Sequence, residues 1–132
     1  SSPKDSGGGR LVGLWETEVT VTNCQGVTLK TLEAYTTFHQ DGTLNNTDTN
    51  GLTGPGSGTW KNLGGGSYSN TIRSFSFDAN GINTGEGVIT GTIQLAPDGM
   101  SSTGTATVEI FDVNGNLVAT LCASGVATRI VD

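Results

Sequence analysis

The chain has 132 residues, a net charge of −6 and 21 glycines, with an equal number of threonines. That length suits one domain with a real core and is too short for two. Threonine favours pleated surfaces and glycine marks turns and bulges, so a helical bundle is excluded. The hydrophobic fraction of 33%, spaced in regular alternation, argues against disorder.

The six basic residues are Lys4, Arg10, Lys30, Lys61, Arg73 and Arg129, and they form no cluster. Nucleic acid and anionic membranes are therefore set aside as partners. No run approaches the roughly 20 apolar residues of a membrane helix, so no membrane insertion is expected. Residues 1–10, opening SSPKDSGGG, read as a flexible processed leader that would suit a surface tether, and 11–132 as a single domain.

From Leu11 onward the apolar period is two. The first strand, Leu14 to Thr22, sets Trp15, Val19 and Val21 on one face and Glu16, Glu18 and Thr20 on the other. The second, about Leu29 to Gln40, alternates Leu32, Ala34, Thr36 and Phe38 with Glu33, Tyr35, Thr37 and His39. Asp41-Gly42 signals a hairpin into a polar third strand, Thr43 to Thr49. Asn50 to Gly58 reads as a loop before a short fourth strand, Gly58 to Leu63. Four longer strands follow: Tyr68 to Asp78, Gly87 to Leu95, Ser102 to Val113, and Leu117 to Val131 with a bend at Gly125. Short turns carrying Asn-Gly or Asp-Gly separate them.

Eight strands joined by short turns predict an all-β, antiparallel, up-and-down barrel, because closure removes the two edges of an open sheet. A two-sheet sandwich is the alternative. Cys24 and Cys122 have no metal-type neighbours, since His39 is the lone histidine and no CxxC occurs. They are read as a disulfide, with two buried thiols as the alternative. A bridge implies an oxidising compartment, hence a secreted or periplasmic protein.

Catalytic motifs of the hydrolase, zinc-protease and nucleotide-binding kinds are absent. No metal and no cofactor are expected. Arg73 alternates with Thr71, Phe75 and Phe77. If that face lines the barrel, Arg73 is a cation in an apolar cavity, to be met by an anionic ligand or by Glu109. The alternative turns Arg73 outward to a surface acid and Ile72 inward. Trp60, Tyr68 and Tyr35 are candidates for an aromatic mouth near residues 50–58; otherwise Trp60 joins Trp15 in the core or as an end plug. Glu16 and Glu18 have the spacing of a carboxylate pair but fit a solvated face better. Asn45-Asn46-Thr47 matches a glycosylation sequon, which matters only in a eukaryotic secretory host.

Gly13-Leu14-Trp15 in the first strand resembles the G-x-W signature of calycin barrels (lipocalins, avidins, fatty-acid-binding proteins). Arg129 resembles the arginine that packs across that tryptophan. The chain is also similar to a group of small secreted bacterial proteins of unknown function. The shared layout comprises Gly13, Trp15, Asn23-Cys24, Gly56, Gly58, Trp60, Gly65, Tyr68, Phe111 to Asn116 and Cys122. With no helix between the last strands, avidin-like or allene-oxide-cyclase-like (dirigent-like) geometry matches better than a true lipocalin.

The expected function is a cavity for a small lipophilic or aromatic molecule, lined by Arg73, Phe75, Trp60, Tyr68, Tyr35 and Glu109. A metal-independent cyclase or isomerase on the same scaffold is the first alternative, and a packed structural or surface protein the second. Homo-oligomerisation is compatible with either.

Overall fold

A computed structural model of the chain describes residues 10–131. The expected leader, apart from Arg10, lies outside the described residues. Eight strands make up the fold: β1 (Gly13–Thr22), β2 (Thr28–Phe38), β3 (Thr43–Asp48), β4 (Gly56–Gly64), β5 (Ser67–Phe77), β6 (Asn83–Leu95), β7 (Ser101–Asp112) and β8 (Leu117–Arg129). They close in sequence order into one barrel with every neighbouring pair antiparallel. The sandwich is thereby excluded. Two strands start earlier than their apolar pattern suggests. β4 begins within the expected loop because Gly56 pairs with Asn46, and β6 begins before Gly87 because Gly85 pairs with Ser76 and Asp112. The ladder needs only backbone there, so side-chain periodicity carries no signal.

Seven of the eight strand junctions are hairpins. The eighth, between β1 and β8, joins the two ends of the sheet with an unbroken register from Trp15↔Arg129 to Thr22↔Cys122. Both ends of this seam are fastened. At one, Cys24 and Cys122 form a disulfide with Cα atoms 5.0 Å apart. Cys24 sits at φ 71° in the β1–β2 turn, which brings its sulfur toward β8. At the other, the Arg129 guanidinium lies 4.5 Å from the centroid of the Trp15 ring. Its Nε donates to Gly99 O at 2.9 Å, its Nη1 to Val12 O at 2.7 Å, and its Nη2 to Arg10 O. Burial lowers the Arg129 pKa below that of a free arginine, and the nearby Arg10 charge adds to this.

The Trp15 end is filled. Leu11, Trp15, Phe38, Leu44, Trp60, Tyr68, Ile72, Leu95 and Ala127 pack as one buried cluster. Trp60 meets Phe38 edge-on at 5.8 Å and Tyr68 at 5.9 Å. The two indole N–H groups of this plug are satisfied: Trp15 Nε1 donates to Leu11 O, and Trp60 Nε1 to the carbonyls of His39 and Thr43.

Aspartates organise hairpins at both ends. Asp41 Oδ1 accepts from the Thr43 amide at 2.9 Å and its hydroxyl at 2.6 Å. Asp112 Oδ1 accepts from the amides of Asn114 and Asn116 at 2.9 and 3.0 Å, while Gly115 takes the φ of 84° that the turn requires.

Reduction of the disulfide, or replacement of both cysteines by serine, should lower the unfolding free energy by about 3–5 kcal/mol in urea titration. Arg129→Ala should cost about 2–4 kcal/mol through its lost hydrogen bonds and ring contact. A loss under about 0.5 kcal/mol, the scale of an ordinary surface substitution, would show that closure does not depend on that fastening.

The turn aspartates set an acid limit. Hydrogen bonds from Thr43 hold Asp41 below the ordinary value of 3.8, and those from the Asn116 and Asn114 amides hold Asp112 below 3.8. A depressed folded pKa contributes stability that is full above the unfolded value and disappears as pH falls through the folded one. Carboxyl NMR titration should place both midpoints below 3.8; a midpoint at or above that value would contradict the turn geometry.

Candidate functional site

Above the plug the barrel is hollow. A cavity of about 460 Å³ runs from a floor of Trp15 and Phe38 toward the opposite end, where Lys30, Asp48, Leu52, Phe77, Thr84 and Ile110 lie near its mouth. Period-two alternation builds the wall. The inward positions are Thr17, Val19 and Val21 on β1, Leu32, Ala34 and Thr36 on β2, and Ala106, Val108 and Ile110 on β7. The 49–55 loop lies along β5, with the Gly54 amide donating to Phe75 O and the Phe77 amide to Leu52 O. It thereby brings Leu52 and Thr53 to the mouth. A shallower trough of about 620 Å³ lies on the outer face among Thr90, Thr92, Thr105 and Thr107. It is open to water and lined by neither a ring nor a charge, so the inner cavity is the stronger site.

Glycines decide how much of the barrel stays hollow. Gly58 lies where β4 crosses close to β5: a Cβ there would fall 1.9 Å from Thr71 O. Gly87 is the reverse case. It lines the cavity, and a Cβ added to it would meet nothing within 4 Å.

None of the six residues expected to bind a ligand is on the cavity wall. Arg73 points outward, with its side chain 63% exposed, and pairs with Glu86 at 3.8 Å. This is the outward alternative, with Ile72 inside, and a pair so exposed contributes little to stability. Glu109 is also on the outer face, because Val108 and Ile110 on either side of it face in. In register it is separated from Arg73 by Val88. Phe75 is 59% exposed and Tyr35 51% exposed, so neither contributes to an aromatic mouth. Trp60 and Tyr68 do face inward, but into the plug at the end remote from the 49–55 loop. The cyclase reading's polar set (Arg73, Tyr35, Tyr68 and Glu109) is therefore divided between the outer surface and the plug.

A bulge at the end of β5 separates Phe77 from Arg73 and Phe75, with which simple alternation would group it. The register shifts between Ser76 and Phe77, so both residues line the cavity, while Arg73 and Phe75 stay outside. Phe77 is thus the aromatic residue of the mouth. The residues that alternation alone left unmarked are Asn46, Asn70, Ser74 and Ser76, which face in although they are polar.

His39 is half-buried at the plugged end, where its Nε2 shares a 2.7 Å hydrogen bond with Asn45 Oδ1. Glu16 and Glu18 are exposed on the outer face, as a solvated pair should be. Among the described residues no group of His, Cys, Asp or Glu is arranged to hold a metal ion. The cavity wall carries two ionisable side chains, Lys30 and Asp48, both at the mouth. In comparisons with known proteins, no family model and no curated sequence matches the chain.

Gly58→Ala should cost on the order of 3 kcal/mol, since strands β4 and β5 must separate to admit the methyl group. Gly87→Ala should be neutral or stabilising by about 0.5–1 kcal/mol, through the reduced freedom of the unfolded chain. Thermal unfolding of the two variants checks this contrast, and equal effects would contradict the wall geometry.

Proposed function

We propose that the protein binds a small lipophilic or aromatic molecule within the barrel. The carrying observation is the 460 Å³ cavity above a sealed floor, within the range of small-molecule sites. A barrel evolved only as a scaffold would gain stability by filling this space, because voids lose dispersion contacts. The calycin-like reading fits the same picture. Trp15 and Arg129 stack at the closed end as the resemblance implies, in a closed eight-stranded barrel. The Cys24–Cys122 bridge supports residence in an oxidising compartment, outside the cell or in a periplasm.

Nile red, a neutral dye that brightens in apolar surroundings, tests the proposal. Saturable binding of one dye per barrel is expected. Gly87→Phe, which places a ring in the open part of the cavity, should weaken it by at least about tenfold. Phe75→Ala removes an exposed apolar ring from the outer face and should leave it unchanged. Binding that survives Gly87→Phe but is lost with Phe75→Ala would locate the dye on the outer surface and refute cavity binding.

A further inference from the structure

The cavity wall has two unlike sides. Strands β3 and β5 turn Asn46, Asn70, Ser74 and Ser76 inward. Between them β4 presents Gly56 and Gly58, which bring no side chain to the wall. In the cyclic strand order β4 stands opposite β8, and there the wall is mostly hydrocarbon: Val108 and Ile110 on β7, Leu121 on β8, and Val19 and Val21 on β1, with Thr17 on β1 and Ser102 on β7 as polar members level with Ala127, near the floor. The division runs lengthwise. Asn46 is in register with Thr36, next to the Trp15 level, while Ser76 is in register with Gly85 toward the mouth. Polar groups thus follow one flank of the cavity from floor to mouth, interrupted on β5 by Ile72 between Asn70 and Ser74.

Most of these groups have no protein partner. Asn46 Nδ2 donates to Thr36 Oγ1 at 2.8 Å, which leaves its carbonyl free to accept. Among the described residues, the Asn70 amide and the Ser74 and Ser76 hydroxyls make no hydrogen bond to another side chain or to backbone. Half-buried amides and hydroxyls of this kind require a partner from water or from a ligand. Ser74 is in register with Gly87, where the cavity is open, so space for that partner lies beside it. The ionisable wall residues are Lys30 and Asp48: Lys30 is level with Val21, and Asp48, the last residue of β3, is the next inward position after Asn46, whereas Asn70 and Ser74 on β5 stand in register with Trp60, Gly91 and Gly87 and have no charged neighbour in the ladder. A carboxylate or ammonium group would lose its hydration without gaining a counterion. Serine hydroxyls and asparagine amides both donate and accept, which matches hydroxyl and carbonyl groups.

We infer that the ligand is an uncharged facial amphiphile, lying along the barrel axis with hydrocarbon toward β7, β8 and β1 and hydroxyl or carbonyl groups toward β3 and β5. This rests on the binding reading above and narrows it: a plain hydrocarbon or a fatty acid anion fits one wall and wastes the other.

Competition against Nile red with two neutral steroid esters tests the inference. Methyl cholate carries three hydroxyls on one face, and methyl 5β-cholanate has the same skeleton with none. Methyl cholate should displace the dye at a concentration at least about tenfold lower, the effect of one well-made hydrogen bond. In the double variant Asn70→Leu, Ser74→Val that preference should vanish or reverse, while the circular dichroism and the disulfide stay as in the parent. Equal displacement by the two esters would mean that water serves the polar flank, and it would overturn the inference while leaving cavity binding intact. A preference for methyl cholate that persists in the double variant, or dye binding that neither ester disturbs, would overturn it too. Failure of Nile red to bind at all would remove the binding reading itself.

Discussion

Closure of the β1–β8 seam is the constraint on which the rest of the molecule depends. Every other strand pair is held by a hairpin, where the two partners are close in sequence and pairing costs little loop entropy. The seam joins residues about a hundred positions apart and has no turn to set its register. Three devices do that work. The backbone ladder runs from Trp15↔Arg129 to Thr22↔Cys122, the disulfide fastens the mouth end, and the Arg129–Trp15 stack fastens the plugged end. Because each side chain alternates in or out, a slip of one residue at the seam would reverse the faces of β1 relative to β8.

The plug and the cavity are two outcomes of one alternation. At the Trp15 level the inward positions are large, and rings from β1, β2, β4 and β5 meet across the barrel axis. Higher up, many of the inward positions shrink to threonine, serine, alanine, valine and glycine between the remaining leucines and isoleucines, and the same circle of strands no longer fills itself. The site is therefore created by small residues rather than by a conspicuous cluster of reactive ones. Its chemistry is correspondingly quiet, with charges confined to the mouth and neutral hydrogen-bonding groups along one flank.

Much of this was legible from residue pattern. The alternation of Leu32, Ala34, Thr36 and Phe38 placed β2 correctly, and Trp15, Val19 and Val21 did the same for β1. Thr103, Thr105 and Thr107 coat the outside as their polarity requires. The cysteine pair was readable because nothing else in the chain gave the two thiols a partner. Strand β5 was harder. Arg73 and Phe75 drew attention as the reactive and apolar members of the strand, yet Tyr68 is five residues before Arg73 on an unbroken ladder. Two such residues lie on opposite faces, so placing Tyr68 inside already sends Arg73 outside. What hid this was the polar inward series Asn70, Ser74 and Ser76, together with a bulge that returns Phe77 to the interior.

An all-β chain, the number of its strands, and the residues able to form the seam follow from the residue pattern alone. Those are local properties of period, turn chemistry and side-chain type. Closure of the barrel settles the rest: which face of β5 is inside, that Trp60 and Tyr68 belong to the plug rather than the mouth, and that a void remains. These depend on register and on the sum of side-chain volumes around a closed circle, and no single strand contains that sum.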